Sequence, residues 1–121
     1  MTRLSQIAAT AATLAVCALP ALAQQADLAA KLNEEGKTLM YAQKYAEASA
    51  KFRDAVARVP EPKYFFNLCT SLFQEGKFSE ALTSCNAVAK NNPTPALQTK
   101  ANKLIDKIRG EAKAQGISLA P

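Results

Sequence analysis

The sequence predicts an all-α chain built from paired helices, and three observations carry that expectation. The composition is rich in Ala, Leu, Lys, Glu and Gln and holds only four Gly, a mixture that favours helix over strand. Apolar residues recur at the three- and four-residue spacing of one helix face. The sequence also matches itself when shifted by 33 positions, so that Leu39 meets Leu72, Lys44 meets Lys77, Glu47 meets Glu80, Ala48 meets Ala81 and Pro60 meets Pro93. A period of this size marks a helical-hairpin array.

The first segment stands apart. Arg3 supplies a short positive start, Ile7 to Leu19 is nearly all Ala, Leu, Val and Ile, and Pro20 is expected to break that helix. Ala21-Leu22-Ala23 then offers the small residues of a signal-peptidase site, with Gln24 next. Residues 1–23 therefore read as a secretory signal cleaved between Ala23 and Gln24. Two alternatives share the segment. One is an uncleaved anchor, although the apolar run is shorter than the ~20 residues of a spanning helix. The other is lipid attachment at Cys17, although Val16 is bulky where a small residue is usual. The processed chain is expected to be periplasmic or secreted and to keep no membrane span.

The first hairpin is expected from about Asp27 to Tyr41 and from Tyr45 to Val59, with a turn near Gln43-Lys44 and a stop at Pro60. The second runs over Lys63 to Glu75, turns at Gly76-Lys77 and continues from Phe78 to about Asn91 before Asn92-Pro93. Residues equidistant from each turn face one another. Leu39 with Ala48, Gly36 with Phe52 and Leu32 with Ala55 pair in the first hairpin. Leu72 with Ala81, Cys69 with Cys85 and Phe65 with Val88 pair in the second. Helix stripes and hairpin symmetry agree, as they must in a foldable sequence. After Cys17 leaves with the signal, Cys69 and Cys85 are the cysteines that remain. They face each other in a compartment that permits oxidation, which predicts a disulfide.

The order Gly36, Tyr45, Glu47-Ala48, Phe52, Ala55, Pro60 resembles the tetratricopeptide repeat signature. So does Leu68-Cys69, Gly76, Phe78, Glu80-Ala81, Val88, Pro93. Leu32 stands where an opening aromatic is usual, Cys69 where Gly or Ala is usual, and Cys85 where an aromatic is usual. The resemblance covers residues 29–93, as repeats of about 29–62 and 62–93 within a segment 24–93. It implies a short right-handed solenoid and a binding role. Residues 94–121 follow as a cap and tail. Thr94 can cap a helix and Pro95 fits its first turn. Leu97, Ala101, Leu104 and Ile108 make the stripe of a helix over 95–115 that covers the last repeat.

No catalytic site emerges. The chain has no His, which removes the commonest general base and metal ligand. Glu34 and Glu35 point to different helix faces, and the two cysteines form neither a Cys-x-x-Cys motif nor a zinc site. The sequence thus predicts no enzyme and no cofactor. The net charge of +5 is spread along the chain, without the basic cluster that tracks nucleic acid. What remains is protein binding. The resemblance implies that the first helix of each unit lines a concave groove. That groove would carry Asn33, Lys37, Met40 and Tyr41, then Lys63, Phe66, Asn67, Thr70 and Phe73, then Lys100. Aromatic anchors, amides and lysines suit an extended peptide with an acidic group. Some tetratricopeptide domains hold a terminal carboxylate with a Lys/Asn clamp. Asn67 and Lys100 match it by place, and Asn33 and Lys37 have its two residue types interchanged. The rival function is a structural subunit that self-associates through the open ends of the array.

Overall fold

The computed structural model describes residues 12–119. Among them are five helices and no strand: α1 (Ala12–Tyr41), α2 (Tyr45–Arg58), α3 (Pro62–Gln74), α4 (Phe78–Ala89) and α5 (Pro95–Ala114). Each helix packs on the next, and α3 also touches α1 and α5. The chain is all-α, as its composition and spacing predict.

The two tight turns have one backbone design at a shift of 33. Lys44 N–H donates to Leu39 O and Gln43 N–H to Met40 O, while Lys77 N–H donates to Leu72 O and Gly76 N–H to Phe73 O. These are Schellman closures, which need a left-handed residue after the helix. Gly76 fills that place at φ 78, and Gln43 fills it at φ 60.

Facing pairs meet in both hairpins. Cys69 and Cys85 lie at disulfide-bonding distance, with Cα atoms 5.3 Å apart. A Cβ placed on Gly36 would sit 2.5 Å from the Phe52 ring, so glycine is what lets α1 and α2 close over that ring. Leu32 and Ala55 share a small cluster with Ala29 and Tyr64. The larger cluster joins Ala48 and Phe52 of the first hairpin to Leu68, Leu72, Ala81 and Leu82 of the second, and to Ile108 and Ala112 of α5. Tyr64 is thus the inward aromatic at the start of α3. Phe65, expected on the stripe, is only half-buried.

At the junction of the hairpins the core is polar. Ser49 on α2 and Ser71 on α3 are fully buried. Their hydroxyls lie 2.8 Å apart, and Ser49 donates to Glu75 Oε2 at 2.6 Å. The Glu75 carboxylate also faces Lys77 at 3.4 Å. Small side chains let the helices approach, and each hydroxyl finds a partner, as burial requires.

The helix starts differ from expectation in one place. Pro20 does not break the first helix, and α1 runs straight through it. Proline costs a helix one i→i−4 bond, which is a penalty and not a prohibition, and Pro20 itself lies in the exposed stretch 19–28. Ala23 and Gln24 therefore lie within a helix, both exposed. The positive start at Arg3 lies outside the described residues. At the other end Thr94 caps α5 as expected, with its hydroxyl accepting from Leu97 N–H at 3.2 Å and Pro95 in the first turn. The Ala101/Ile108 stripe is buried and extends to Ala112. After Gly116 turns the chain at φ 71, Leu119 folds back onto the core. Among the described residues no helix is long and apolar enough to cross a membrane.

Candidate partner-binding site

An apolar depression lies between α3 and α5. It encloses about 340 Å³. Phe66, Thr70, Phe73 and Gln74 form the α3 wall, and Lys100, Lys103, Leu104 and Lys107 form the α5 wall. Helical spacing explains both walls. Residues 66, 70 and 73 fall on one face of α3, away from the Leu68/Cys69/Leu72 stripe that faces the core. Residues 100, 103, 104 and 107 fall on one face of α5, beside the Ala101/Ile108 stripe.

The two aromatic residues differ. Phe73 packs on the core and against the ring of Phe78, with centroids 5.8 Å apart. Lys107 Nζ sits 5.5 Å from the Phe73 ring centroid, a cation–π contact of about 0.5–1 kcal/mol. Phe66 is half-buried, and it is not among the residues packed on the core clusters. It is the aromatic surface most readily lent to a ligand. Thr70 donates to Phe66 O, so its hydroxyl proton is engaged by its own helix.

Of the ten residues assigned to a groove, four meet in this pocket: Phe66, Thr70, Phe73 and Lys100. The other six lie elsewhere. Asn33 is 5 % exposed and accepts from Asn67 Nδ2 at 2.8 Å, so these two amides tie α1 to α3. Lys37 pairs with Glu34 at 3.2 Å. Lys63 pairs with Glu61 at 3.4 Å and covers the Tyr64 ring. Met40 packs on the core. Tyr41 is 82 % exposed, next to the α1–α2 turn.

Four lining residues escaped the sequence reading: Gln74, Lys103, Leu104 and Lys107. A signal for the lysines was present, since 100, 103 and 107 recur at i, i+3 and i+7. None of the three forms an ion pair among the described residues. The lysines and arginines of the first two hairpins are partnered more often, by Glu35 on Lys51 at 3.1 Å, Glu80 on Arg53 at 3.5 Å and Asp54 on Arg58 at 3.2 Å.

Tyr64 has a displaced titration. Burial is the main cause that holds its phenol above the ordinary 10.0, with a smaller push from Glu61 against the opposing pull of Lys63. It belongs to the small core cluster and not to the pocket.

No known protein family, characterised protein or solved structure matches the chain. The functional reading therefore rests on its own residues.

Proposed function

We propose that this chain is an exported, non-enzymatic interaction module: two tetratricopeptide-type hairpins in a short right-handed solenoid, closed by α5, that holds a segment of a partner protein between α3 and α5. The 33-residue period supports the repeat reading, because it recurs in the hydrogen bonds of both turns. The single observation that carries the binding role is the pocket itself, where half-buried aromatic surface meets three lysines that form no ion pair among the described residues. Interface anchors are typically aromatic side chains in such settings. Export is supported by the three-part order of residues 1–23 and by the apposition of Cys69 with Cys85, which only an oxidising compartment would keep bonded. The cleavage site between Ala23 and Gln24 falls on exposed helix. A peptidase needs that segment extended, so processing must precede or unwind this part of α1.

Co-purification from the envelope fraction with the parent and with Phe66→Ala tests the reading. The partner that elutes with the parent is expected to be lost or depleted about tenfold with the variant, the loss of ~1.4 kcal/mol that a buried anchor gives. Equal recovery with a folded Phe66→Ala protein refutes the pocket as the site. Sedimentation at rising concentration addresses the rival: a stable oligomer built from the protein alone would favour the self-assembling subunit.

A further inference from the structure

α5 carries a local conflict. Lys100 and Lys103 are three residues apart, Lys103 and Lys107 are four, and all three line one wall of the pocket. Like charges at these spacings destabilise a helix. No acid on α3 compensates them among the described residues. The α3 wall offers Phe66, Thr70, Phe73 and Gln74, none of which is charged. On α5 itself Asp106 stands three residues after Lys103 and Glu111 four after Lys107, yet neither reaches ion-pair distance of a lysine in the row, so the row is offset only in part; places where a chain strains a local rule in this way tend to be functional.

The geometry of the row restricts what could compensate it. At 1.5 Å per residue, Lys100 and Lys107 stand about 10 Å apart along the helix. An extended chain covers that distance in about three residues. The positive charge is therefore a line and not a point. A terminal carboxylate needs converging donors at one place. Of the two residues that could have added them from α1, Asn33 is buried with its amide oxygen accepting from Asn67, and Lys37 pairs with Glu34. The apolar floor between the lysines and α3 is only deep enough, at about 340 Å³, for one large side chain with its flanking backbone.

We propose that the occupant is an internal, extended stretch of a partner protein in which one aromatic side chain is flanked on both sides by Asp or Glu. The aromatic ring packs on Phe66 and Phe73, and the carboxylates lie along Lys100, Lys103 and Lys107. This rests on the reading of the pocket as the partner site and adds the partner's chemistry. It also sets the footprint on α3 and α5 alone, without α1.

The test uses five-residue peptides blocked at both ends, with two residues on each side of a central Phe, and isotope-labelled protein whose backbone amide signals are followed by NMR. The acidic peptide is expected to shift amides of α3 and α5 and not those of α1. Its neutral (Ser) and basic (Lys) counterparts should bind about tenfold more weakly or worse, as should the acidic peptide with Ala for Phe. Unblocking its C-terminus should change affinity less than about twofold, under a third of a decade. Neutral or basic peptides that shift the same amides equally well would overturn the acidic assignment and leave the pocket intact as a site. No shift on α3 and α5 with any peptide would overturn both. A large gain on unblocking would overturn the internal placement. Lys103→Glu separates binding from folding: it should weaken the acidic peptide at least about tenfold while raising the thermal midpoint by about 1–4 °C, because it makes the pairs with Lys100 and Lys107 attractive and only the one with Asp106 repulsive. A variant that loses stability and affinity together would assign Lys103 a structural role and refute the proposal.

Discussion

Gly36→Ala should destabilise this protein although alanine is the better helix former. In an open helix the change stabilises by about 0.5–1 kcal/mol. At Gly36 the new Cβ would lie 2.5, 2.8 and 2.9 Å from three atoms of the Phe52 ring. Phe52 is 0 % exposed and is the largest fully buried side chain, so the ring has nowhere to swing. Relief must come from separating α1 and α2, at the ~1–3 kcal/mol typical of overpacking. With the upper part of that range set against the propensity gain, the net loss is about 1–2 kcal/mol, or roughly 5–15 °C in midpoint for a domain of this size. Urea unfolding followed by circular dichroism measures it. Gly110→Ala is the control, since a Cβ there meets nothing within 4 Å, and it should stabilise by about 0.5–1 kcal/mol. Phe52→Leu is the partner in a double-mutant cycle. Alone it loses packing, and combined with Gly36→Ala it should recover at least ~1 kcal/mol of the expected sum. If Gly36→Ala stabilises as much as Gly110→Ala, the close approach of α1 and α2 over Phe52 is wrong.

Four further outcomes follow. Cys69 and Cys85, 16 residues apart, should resist alkylation in the unreduced, denatured protein, and Cys69→Ala/Cys85→Ala should cost ~3 kcal/mol in the chain-entropy account, read by the shift in urea midpoint. Gln43→Gly should stabilise by about 1 kcal/mol, because a residue with a Cβ is held at φ 60; the reverse test, Gly76→Gln at φ 78, should lose a similar amount. Ser71→Ala should cost about 1–2 kcal/mol, since it strips a partner from the buried Ser49 hydroxyl, whereas Thr83→Ala on the exposed face should be near neutral. Tyr64 should ionise above the ordinary tyrosine range in an ultraviolet titration. With its folded-state pKa raised above the unfolded one, stability is complete below pH ~10 and falls as pH rises beyond that. Tyr64→Phe should remove that part of the alkaline loss.

The helices and their pairing were legible because they depend on periodicity, which sequence records directly. The 33-residue shift fixed which residues flank each turn, and the turn-centred symmetry then set Cys69 opposite Cys85 and Gly36 opposite Phe52. What symmetry about a turn cannot supply is how one hairpin sits on the next. Ser49 and Ser71 belong to different hairpins, and nothing in the spacing of either marks it as buried. Their contact with each other and with Glu75 appears only once α2 and α3 are packed. The same limit explains Tyr64. It lies one residue off the Phe65/Leu68/Leu72 stripe and points instead to Leu32 and Ala55 of the preceding hairpin. Pro20 failed as a stop for a different reason: a proline penalises a helix without forbidding it, and the residues after it continue a run of good helix formers.

The pocket was half legible for the same physical cause. Its α3 wall follows from one helix: Phe66, Thr70 and Phe73 are what the inward stripe leaves over. Its α5 wall requires knowing which face of a third helix turns toward the first of the pair. Taken alone, Lys100, Lys103 and Lys107 are indistinguishable from the solvated side of a cap, and most surface lysines deserve that reading. Juxtaposition changes their meaning. A lysine in open water is fully hydrated and indifferent to its neighbours, whereas one beside Phe66 and Phe73 has part of its water replaced by ring surface. There its charge acts at a lower effective dielectric, both on the other two lysines and on any carboxylate that enters. Repulsion in the empty pocket and attraction to an acidic ligand thus grow together. This is why binding at α5 should fall steeply with added salt, while the unliganded domain should gain stability under the same addition. If salt weakens both, the row is coupled to the fold through acids elsewhere and the cap is no more than a cap.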